Sequence, residues 1–337
     1  MILNHYTSSF QEQRLKQSDS PSLRGRAGGE GFDWYIIVNP CSGKRIYHRW
    51  LKSLQAALQA CGQTSESRLT EREGHAVELA RQAVNQGYKQ LVVMGGDGTL
   101  NEVINGIFTS NCTSTEEICI AAVPSGTGND WVRQWNITGK TNLTDYFRYG
   151  KQIKIDVGLI TKKESLENRR HYFLNAAGLG FDGDVVYRAN ALRKWVGPRS
   201  WTYTVSVFRS IFSLRYKQLC IETEKEQIDG DILTICIGNG CYSGGGLKQT
   251  PKANPCDGMF DMMLVQRIRL RDILSLLNAL LKGEINMHPS VNIIRSARIT
   301  ISALQPVRCE TDGILLNVDF PIEITLLPHK IRFLVPR

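Results

Sequence analysis

No stretch of this 337-residue chain has the length and composition of a membrane span or a secretory signal. None of its apolar runs approaches the roughly 20 residues that a transmembrane helix needs. The first 32 residues are polar and rich in Ser, Gln, Arg and Gly, so they lack the apolar core of a signal peptide. We therefore expect a cytoplasmic protein with no transmembrane segment and with a flexible tail over residues 1–32.

The sequence also lacks the cysteine spacings of a disulfide framework or a zinc site. It has nine cysteines, an odd number, and none of them belongs to a C-x-x-C pair. Disulfide-stabilised domains and zinc modules usually show paired, regularly spaced cysteines. Scattered cysteines are typical of reduced, buried thiols, which agrees with a cytoplasmic setting.

Dense basic tracts with interleaved aromatic residues are absent too, so we expect no nucleic-acid partner. The net charge is nevertheless +9. Residues 32–140 carry 10 Lys and Arg against 10 Asp and Glu, whereas residues 141–337 carry 27 against 19. A basic second half favours an acidic partner, such as an anionic membrane surface. The alternative is a basic surface that serves solubility alone.

One turn in the first half has the composition of a phosphate and metal site. An apolar strand, Leu91 to Met94, runs into Gly95 to Gly98, which contains a single carboxylate, Asp97. Glycine lets backbone N–H groups approach an anion, and the helix predicted from about Thr99 adds unpaired donors. A carboxylate beside phosphate indicates either Mg²⁺ between the two or a role in proton transfer. The alternative is a tight strand–turn–helix connection without a ligand.

Two more turns of this kind follow neighbouring strands, Asn39 to Lys44 and Pro124 to Asp130. Each combines glycine with hydroxyl or amide side chains at the end of an apolar strand. In a parallel sheet the carboxyl ends of the strands meet at one edge, where ligands bind. Three such turns in succession therefore favour one nucleotide site over three unrelated loops.

The alternation of apolar strands and amphipathic helices up to about residue 142 predicts an α/β domain with a parallel sheet. After it, strands dominate, so we expect a β-rich antiparallel sandwich. We assign residues 33–142 to a nucleotide-binding domain and residues 143–328 to a substrate domain, and expect a strand over residues 329–336 to return to the first. The later segments predicted include two helices and a strand, Ser200 to Leu214, Leu270 to Lys282, and Asn317 to Phe320.

Six motifs together point to one family. They are N-P-x-S-G, G-G-D-G-T-L-N-E, P-x-G-T-x-N-D, K-I-D-V-G, N-x-A-G-x-G-F-D and D-G-x-F-D, which begin at Asn39, Gly95, Pro124, Lys154, Asn175 and Asp257. This set resembles the diacylglycerol kinase catalytic-domain family, in particular its soluble bacterial lipid kinases, which are related to sphingosine and ceramide kinases. The resemblance implies a first domain like those of NAD kinases and phosphofructokinases.

The resemblance also implies a chemistry, an ATP- and Mg²⁺-dependent lipid kinase that most often converts diacylglycerol to phosphatidic acid. The residues implied to bind ATP are Asn39, Pro40, Ser42, Gly43, Lys44, Thr70, Gly95, Gly96, Gly98, Thr99, Asn101, Glu102, Gly126 and Thr127. Asp97, Asp130 and Asp156 would form a carboxylate–water–Mg²⁺ network at the γ-phosphate. A second, structural Mg²⁺ would be bound by the Asp257 side chain and the carbonyl groups of Asn254 and Met259. The lipid would be reached by peripheral contact with an anionic membrane, and a homodimer is compatible with the sequence.

One position departs from the pattern of the family. Its members have Asp-Gly-Glu near the C-terminal end, with the Glu as proposed general base, whereas this chain has Ile314 after Asp312 and Gly313. Asp97 could act as the base instead, or Asp312 or Glu310 could replace the missing residue. The alternatives for the whole protein are a nucleotide-binding pseudokinase or regulator, a sphingoid or ceramide kinase, and a NAD kinase.

Overall fold

A computed structural model describes residues 34–43, 47–112, 114–126, 128–162, 170–196, 205–206, 214–269 and 272–337 of the chain. The predicted tail over residues 1–32 lies outside these ranges. Within them, no helix combines the length and the apolar composition that crossing a bilayer requires.

The first part is a parallel sheet flanked by helices. Its strands and helices are β1 (Trp34–Val38), α1 (Tyr47–Ala60), β2 (Ser65–Leu69), α2 (His75–Asn85), β3 (Gln90–Gly95), α3 (Asp97–Phe108), β4 (Cys119–Pro124), α4 (Asp130–Arg133) and α5 (Leu143–Tyr149). Strand β1 pairs with β2 and β3, and β3 pairs with β4, all in parallel register. Every residue of β1, β3 and β4 is buried, because helices cover both faces of the sheet.

The second part is built mainly of antiparallel strands. Its elements are β5 (Lys151–Lys162), β6 (His171–Phe173), β7 (Ala176–Gly180), α6 (Phe181–Val196), β8 (Lys217–Thr223), β9 (Gln227–Gly238), β10 (Phe260–Gln266), α7 (Asp272–Lys282), β11 (Val291–Ser296), β12 (Arg298–Ala303), β13 (Cys309–Thr311), β14 (Ile314–Leu316) and β15 (Ile322–Val335). Strand β9 is central, since it pairs with β7, β8 and β10.

The long strand β15 joins the two parts. It runs antiparallel to β5 and β12, and its Arg332 and Phe333 pair in parallel with β4. The register with β5 shifts between Leu327 and Ile331, where His329 has a positive φ of 54°. Through β15, one continuous sheet extends from the parallel strands into the antiparallel ones.

Apolar side chains form separate clusters on the two parts. One cluster surrounds the parallel sheet and includes the buried Trp131 and Phe333 rings, which meet edge to face at 5.6 Å between centroids. A second lies among the antiparallel strands, where Phe173 stacks on Phe260. A third lies where α7 packs on β9 and β10. This last cluster borders the cavity described below.

The structure confirms the predicted order of a parallel α/β part followed by an antiparallel β-rich part. The strand predicted over Asn317 to Phe320 is wrong, because β14 ends at Leu316 and β15 begins only at Ile322, after Pro321. Proline has no N–H to donate to a strand ladder. The helix predicted over Ser200 to Leu214 lies largely outside the described residues, whereas α6 was not predicted.

Candidate functional site

A cleft of about 420 Å³ opens at the carboxyl ends of β1, β3 and β4. The loops that follow these strands form one wall, with Asp97 and Asp130 among its side chains. Residues of the antiparallel part form the other wall, including Asp182, Gln249 and Glu310. Parallel sheets bind ligands at this edge, which is also where the sequence predicts the nucleotide site.

The three loops of the first wall pack on one another through backbone atoms. A Cβ on Gly43 would lie 2.1 Å from the Ser125 carbonyl oxygen, and one on Gly126 would lie 2.6 Å from the Gly96 Cα. Gly43 also has a positive φ of 73°, a conformation that favours glycine. The close approach requires glycine at these positions and leaves backbone N–H groups near the cleft.

Asp97 begins α3 and holds the start of α4. Its Oδ2 accepts a hydrogen bond from the Asp130 backbone N–H and its Oδ1 accepts one from that of Trp131, each at 3.1 Å. Asp130 in turn accepts a 2.7 Å bond on Oδ2 from the Gly245 N–H. Its Oδ1 is buried without a hydrogen-bond partner in the described residues. A chain of bonds thus links the second loop, the third loop and the opposite wall.

The two carboxyl groups are shielded from water, and the Arg133 guanidinium approaches Asp130 Oδ1 at 3.9 Å. Burial raises the pKa of Asp97, although the backbone bonds from Asp130 and Trp131 oppose the shift. Burial and the nearby Asp97 charge raise the pKa of Asp130 to about 7. Two acidic groups held this way are arranged to bind a cation or to share a proton.

The residues expected to bind ATP fall into three groups. Those that line the cleft are Asn39, Ser42, Gly43, Gly96, Gly98, Thr99, Glu102 and Gly126. Pro40, Thr70, Gly95 and Asn101 are not among the residues that line the cleft. Lys44 and Thr127 lie outside the described residues.

Several of these side chains shape the wall. Asn39 donates from Nδ2 to the Thr99 hydroxyl at 2.9 Å, which ties the first loop to α3. Glu102 accepts bonds from the backbone N–H groups of Gly74 and Ala76 at 3.1 Å, so its carboxylate caps the start of α2.

Asp156 lies away from the cleft, at a junction of the sheet. Its side chain is fully buried. It accepts 2.8 Å bonds from the backbone N–H groups of Gly258 and His329. The structure therefore places this predicted catalytic residue where it joins β5 to the turn before β10 and to the irregular part of β15.

Asp312 lines the cleft, but both oxygens of its carboxylate are committed. Oδ1 accepts from the backbone N–H groups of Asn175 and Ala176, both at 3.0 Å. Oδ2 accepts from the Leu174 N–H at 3.0 Å and from the Asn101 amide at 2.9 Å. Four donors occupy the four lone-pair directions of a carboxylate, so Asp312 serves as an anchor between β13–β14 and the start of β7.

A second pair of acidic side chains, Asp182 and Glu310, faces the cleft from the antiparallel part. Asp182 accepts a 3.2 Å bond on Oδ1 from the Gln249 amide, and Glu310 accepts a 2.8 Å bond on Oε2 from the Gly313 N–H. Burial raises the pKa of Asp182 to about 6 and that of Glu310 well above its usual value, with the Asp182 charge adding to the shift in Glu310. The sequence analysis raised Glu310 as a possible base but predicted no role for Asp182.

An apolar cavity of about 80 Å³ adjoins the cleft. It lies under α7, and its walls include Leu276, Leu280 and Met263. Asp182 and Gln249 line both the cavity and the cleft, so the two spaces meet at these side chains.

The turn predicted to bind a structural Mg²⁺ already holds a cation of the protein. The Asp257 carboxylate pairs with the Arg295 guanidinium, which also contacts Asp261. The carbonyl oxygen of Asn254 accepts a backbone bond from the Asp257 N–H, and the Met259 N–H donates to the Asp257 side chain. No group of three or more His, Cys, Asp or Glu with metal-site geometry is found in the described part of the chain. Arg295 thus occupies one oxygen of the carboxylate that the predicted Mg²⁺ would use.

Comparison with known proteins matches both parts of the chain. Residues 33–160 match the family model described as the diacylglycerol kinase catalytic domain. Residues 175–335 match the one described as the YegS C-terminal NAD kinase beta sandwich-like domain.

Individual relatives cover most of the chain. A diacylglycerol kinase of Staphylococcus aureus (strain JH9) is 30% identical over 280 residues, which make up 82% of this chain and 84% of that protein. One of Staphylococcus carnosus (strain TM300) is 28% identical over 82% of this chain and 87% of that protein. The solved structure of a diacylglycerol kinase from Bacillus anthracis str. Sterne superposes with a TM-score of 0.67 at 18% identity, covering 91% of this chain and 98% of that one. At this identity, the superposition shows that the two proteins share a fold.

Proposed function

Because the chain belongs to the diacylglycerol kinase family and is a lipid kinase, we propose that it transfers the γ-phosphate of ATP to the hydroxyl group of diacylglycerol, which forms phosphatidic acid. The observation that carries this proposal is the junction of a polar cleft with an apolar cavity at Asp182 and Gln249. A lipid with its tail in the cavity would present its head group to the cleft. We assign the nucleotide to residues 33–142 and the lipid to residues 143–328.

The loop wall supports the binding of ATP at the other end of the cleft. The contacts around Gly43, Gly96 and Gly126 bring backbone close to the cleft, and α3 begins there, so its N-terminal N–H groups and dipole favour phosphate. None of the described residues that line the cleft is Lys, Arg or His. A metal cation bound here would add to the backbone donors in balancing the charge of a triphosphate.

The residues fit a magnesium ion at this point. Mg²⁺ prefers oxygen ligands and keeps several of its waters, so one or two carboxylates suffice. Asp130 has a buried Oδ1 that accepts no hydrogen bond from the described residues, with Arg133 Nε 3.9 Å away, and the Asp97 carboxylate lies beside it. Asp97 and Asp130 would hold the ion, which would neutralise phosphate charge when bound. In phosphoryl transfer, such positioning and charge neutralisation supply most of the catalysis.

The surface over the apolar cavity supports peripheral contact with an anionic membrane. Leu274 and Leu281 on α7 are 74% and 72% exposed, and Met287, just beyond the helix, is 79% exposed. Lys282 ends the same helix. Exposed apolar side chains beside a cation are typical of helices that lie in a membrane interface. Contact through this face would bring the lipid to the cavity beneath it.

The test measures transfer of labelled phosphate from ATP with Mg²⁺ to lipids in vesicles that contain phosphatidylglycerol. The panel comprises diacylglycerol, a sphingoid base, a ceramide and, as a water-soluble acceptor, NAD. We expect label in phosphatidic acid, and at least a 100-fold lower rate for Asp97→Asn, whose fold is checked by circular dichroism. Asp319→Asn, which changes an exposed carboxylate on the antiparallel part, is the control. Label in NADP, or in a sphingoid product alone, would overturn the proposed substrate.

A nucleotide-binding protein without efficient catalysis is the second candidate, because Ile314 lines the cleft and cannot accept a proton. In that case wild-type protein would bind ATP but label none of the panel. Ile314→Glu would then generate activity that the wild type lacks. If the protein is an active kinase, the wild type itself labels a lipid, and the substitution changes only the rate.

A further inference from the structure

Asp182 and Glu310 lie side by side where the cleft meets the apolar cavity. They flank Gly178, and a Cβ at that glycine would lie 2.6 Å from Glu310 Oε1 and 3.2 Å from Asp182 Oδ2. The two residues are 8% and 7% exposed. The oxygens near Gly178 are not those bonded to Gln249 and to the Gly313 N–H, which are Asp182 Oδ1 and Glu310 Oε2. Each carboxyl group is thus held by one oxygen and places the other beside Gly178.

The surroundings of Glu310 make it a stronger proton acceptor than an ordinary glutamate. Burial is the main cause of its raised pKa, and the negative charges of Asp182 on α6, Asp312 in the following turn and Asp130 on α4 add to the shift. The neighbouring thiols, Cys236 on β9 and Cys309 on β13, are buried and have raised pKa values, so they stay neutral. Only the Gly313 N–H opposes the shift. A carboxyl group with a raised pKa is typical of a general base or acid.

The other acidic side chains of the cleft are less free to accept a proton. Asp312 is bonded to four donors, and both oxygens of Asp97 are bonded to backbone N–H groups. Asp130 would be required by the metal ion. Glu310 accepts one backbone bond, and its Oε1 lies beside Asp182, the residue that lines both spaces.

We propose that the Asp182–Glu310 pair receives the acceptor hydroxyl of the lipid and that Glu310 takes its proton, an inference that rests on the lipid kinase function proposed above. The O–H bond of the hydroxyl breaks, and its proton goes to Glu310 Oε1. The hydroxyl oxygen forms a bond to the γ-phosphorus of ATP. The bond from that phosphorus to the bridging oxygen breaks, and its electron pair leaves with ADP. Asp182 positions the hydroxyl and, through its charge, keeps Glu310 basic.

The test is the pH dependence of the lipid phosphorylation rate for Glu310→Gln, Asp182→Asn and a control, Glu226→Gln, in the exposed β8–β9 turn. Wild type gains activity with rising pH as Glu310 loses its proton. Glu310→Gln should lower kcat at least 100-fold, remove the rising limb and leave the KM for ATP unchanged. Asp182→Asn should shift the limb to lower pH, because one negative neighbour is gone. Glu226→Gln should behave as wild type.

Two results would overturn the assignment while the kinase function stands. In the first, Glu310→Gln keeps the rising limb of the pH–rate profile and the wild-type kcat. In the second, Asp182→Asn leaves the limb at the same pH as in wild type. A merely structural role would lower the unfolding temperature and the rate together without moving the limb. Should Glu310→Gln fail to fold, the direction of the shift in Asp182→Asn decides. Wild-type protein that labels no lipid at any pH would instead overturn the proposed function, and the inference with it.

Discussion

Gly126 lies so close to Gly96 that a methyl group on Gly126 would stand 2.6 Å from the Gly96 Cα. This contact joins the loop after β3 to the loop after β4, and the bonds from Asp130 and Trp131 to Asp97 reinforce it. The shape of the nucleotide end of the cleft therefore depends on Gly96 and Gly126, which have no side chain to bind a ligand.

Gly126→Ala should displace the two loops, because a Cβ at that distance cannot be accommodated without backbone movement. We expect ATP to bind at least tenfold more weakly and the unfolding temperature to fall, as measured by calorimetry. Gly98→Ala is the matched control for stability, since a Cβ there has no heavy atom within 4 Å. Equal unfolding temperatures for the two variants would contradict the contact.

Asp312→Asn should destabilise the protein while keeping the backbone conformation. Asparagine tolerates the positive φ of 49° at this position. Its amide nitrogen, however, would face donors where a carboxylate oxygen accepted two hydrogen bonds. We expect a loss of about 2–4 kcal/mol in the free energy of unfolding, measured with urea. Asp319→Asn on the surface should lose less than about 0.5 kcal/mol. A similar small loss for Asp312→Asn would show that the anchor contributes little.

Gly178→Ala should disturb the acidic pair and spare the nucleotide end of the cleft. The added methyl group would lie 2.6 Å from Glu310 Oε1 and 2.9 Å from Asp182 Cβ, so one of the two side chains must move. We expect the rate of lipid phosphorylation to fall at least tenfold with ATP affinity unchanged. A parallel loss of ATP affinity would mean that the effect spreads beyond the pair.

Asp182→Asn should raise stability at high pH and not at low pH. Burial raises the pKa of Asp182 from 3.8 to about 6, so the folded protein favours the protonated form. The stability that this group contributes is present below about pH 4 and is lost as the pH rises through 6. At pH 8 the variant should be more stable than wild type by about 2–3 kcal/mol. The two proteins should converge at pH 4. Urea titrations at both values check this, and a constant difference would contradict it.

Leu280→Phe should narrow the apolar cavity and shift the preference toward diacylglycerols with shorter chains. Leu280 lines the cavity, whereas Leu274 on the same helix is 74% exposed, so Leu274→Phe is the control. We expect the ratio of rates for long and short acyl chains to fall about tenfold in the first variant alone. The same shift in both variants would indicate an effect of membrane contact rather than of the cavity.

The sequence predicts the parallel part of the fold well because its signals are local. The strand predicted over Leu91 to Met94 lies within β3, which extends it by one residue at each end, Gln90 and Gly95. Apolar runs that end in glycine-rich turns are visible without knowledge of the rest of the chain. Pro321 is also a local signal, and it argues against the strand predicted over Asn317 to Phe320.

Only some residues of the candidate site can be predicted from local sequence patterns. Asp97 and Asp130 are predictable because each follows a strand of the same sheet and the ends of parallel strands meet. Asp182 and Glu310 come together across 128 positions of sequence through the pairing of β7 with β13, which no local pattern specifies. The available signals were Asp182 at the end of a glycine-rich motif and Glu310 two residues before Asp312. Asp156 is a different case, since its carboxylate is bonded to the backbone N–H groups of Gly258 and His329, and its catalytic role stays a prediction.

Strand β15 makes the two parts of the molecule depend on each other for stability. It supplies the outer neighbour of β4 and, a few residues earlier, the partner of β12. A fragment cut near residue 142 would expose a bare sheet edge, which invites aggregation. Denaturation should therefore proceed as a single cooperative transition. Cleavage within β15 by limited proteolysis should unfold both parts, and no stable nucleotide-binding fragment should remain.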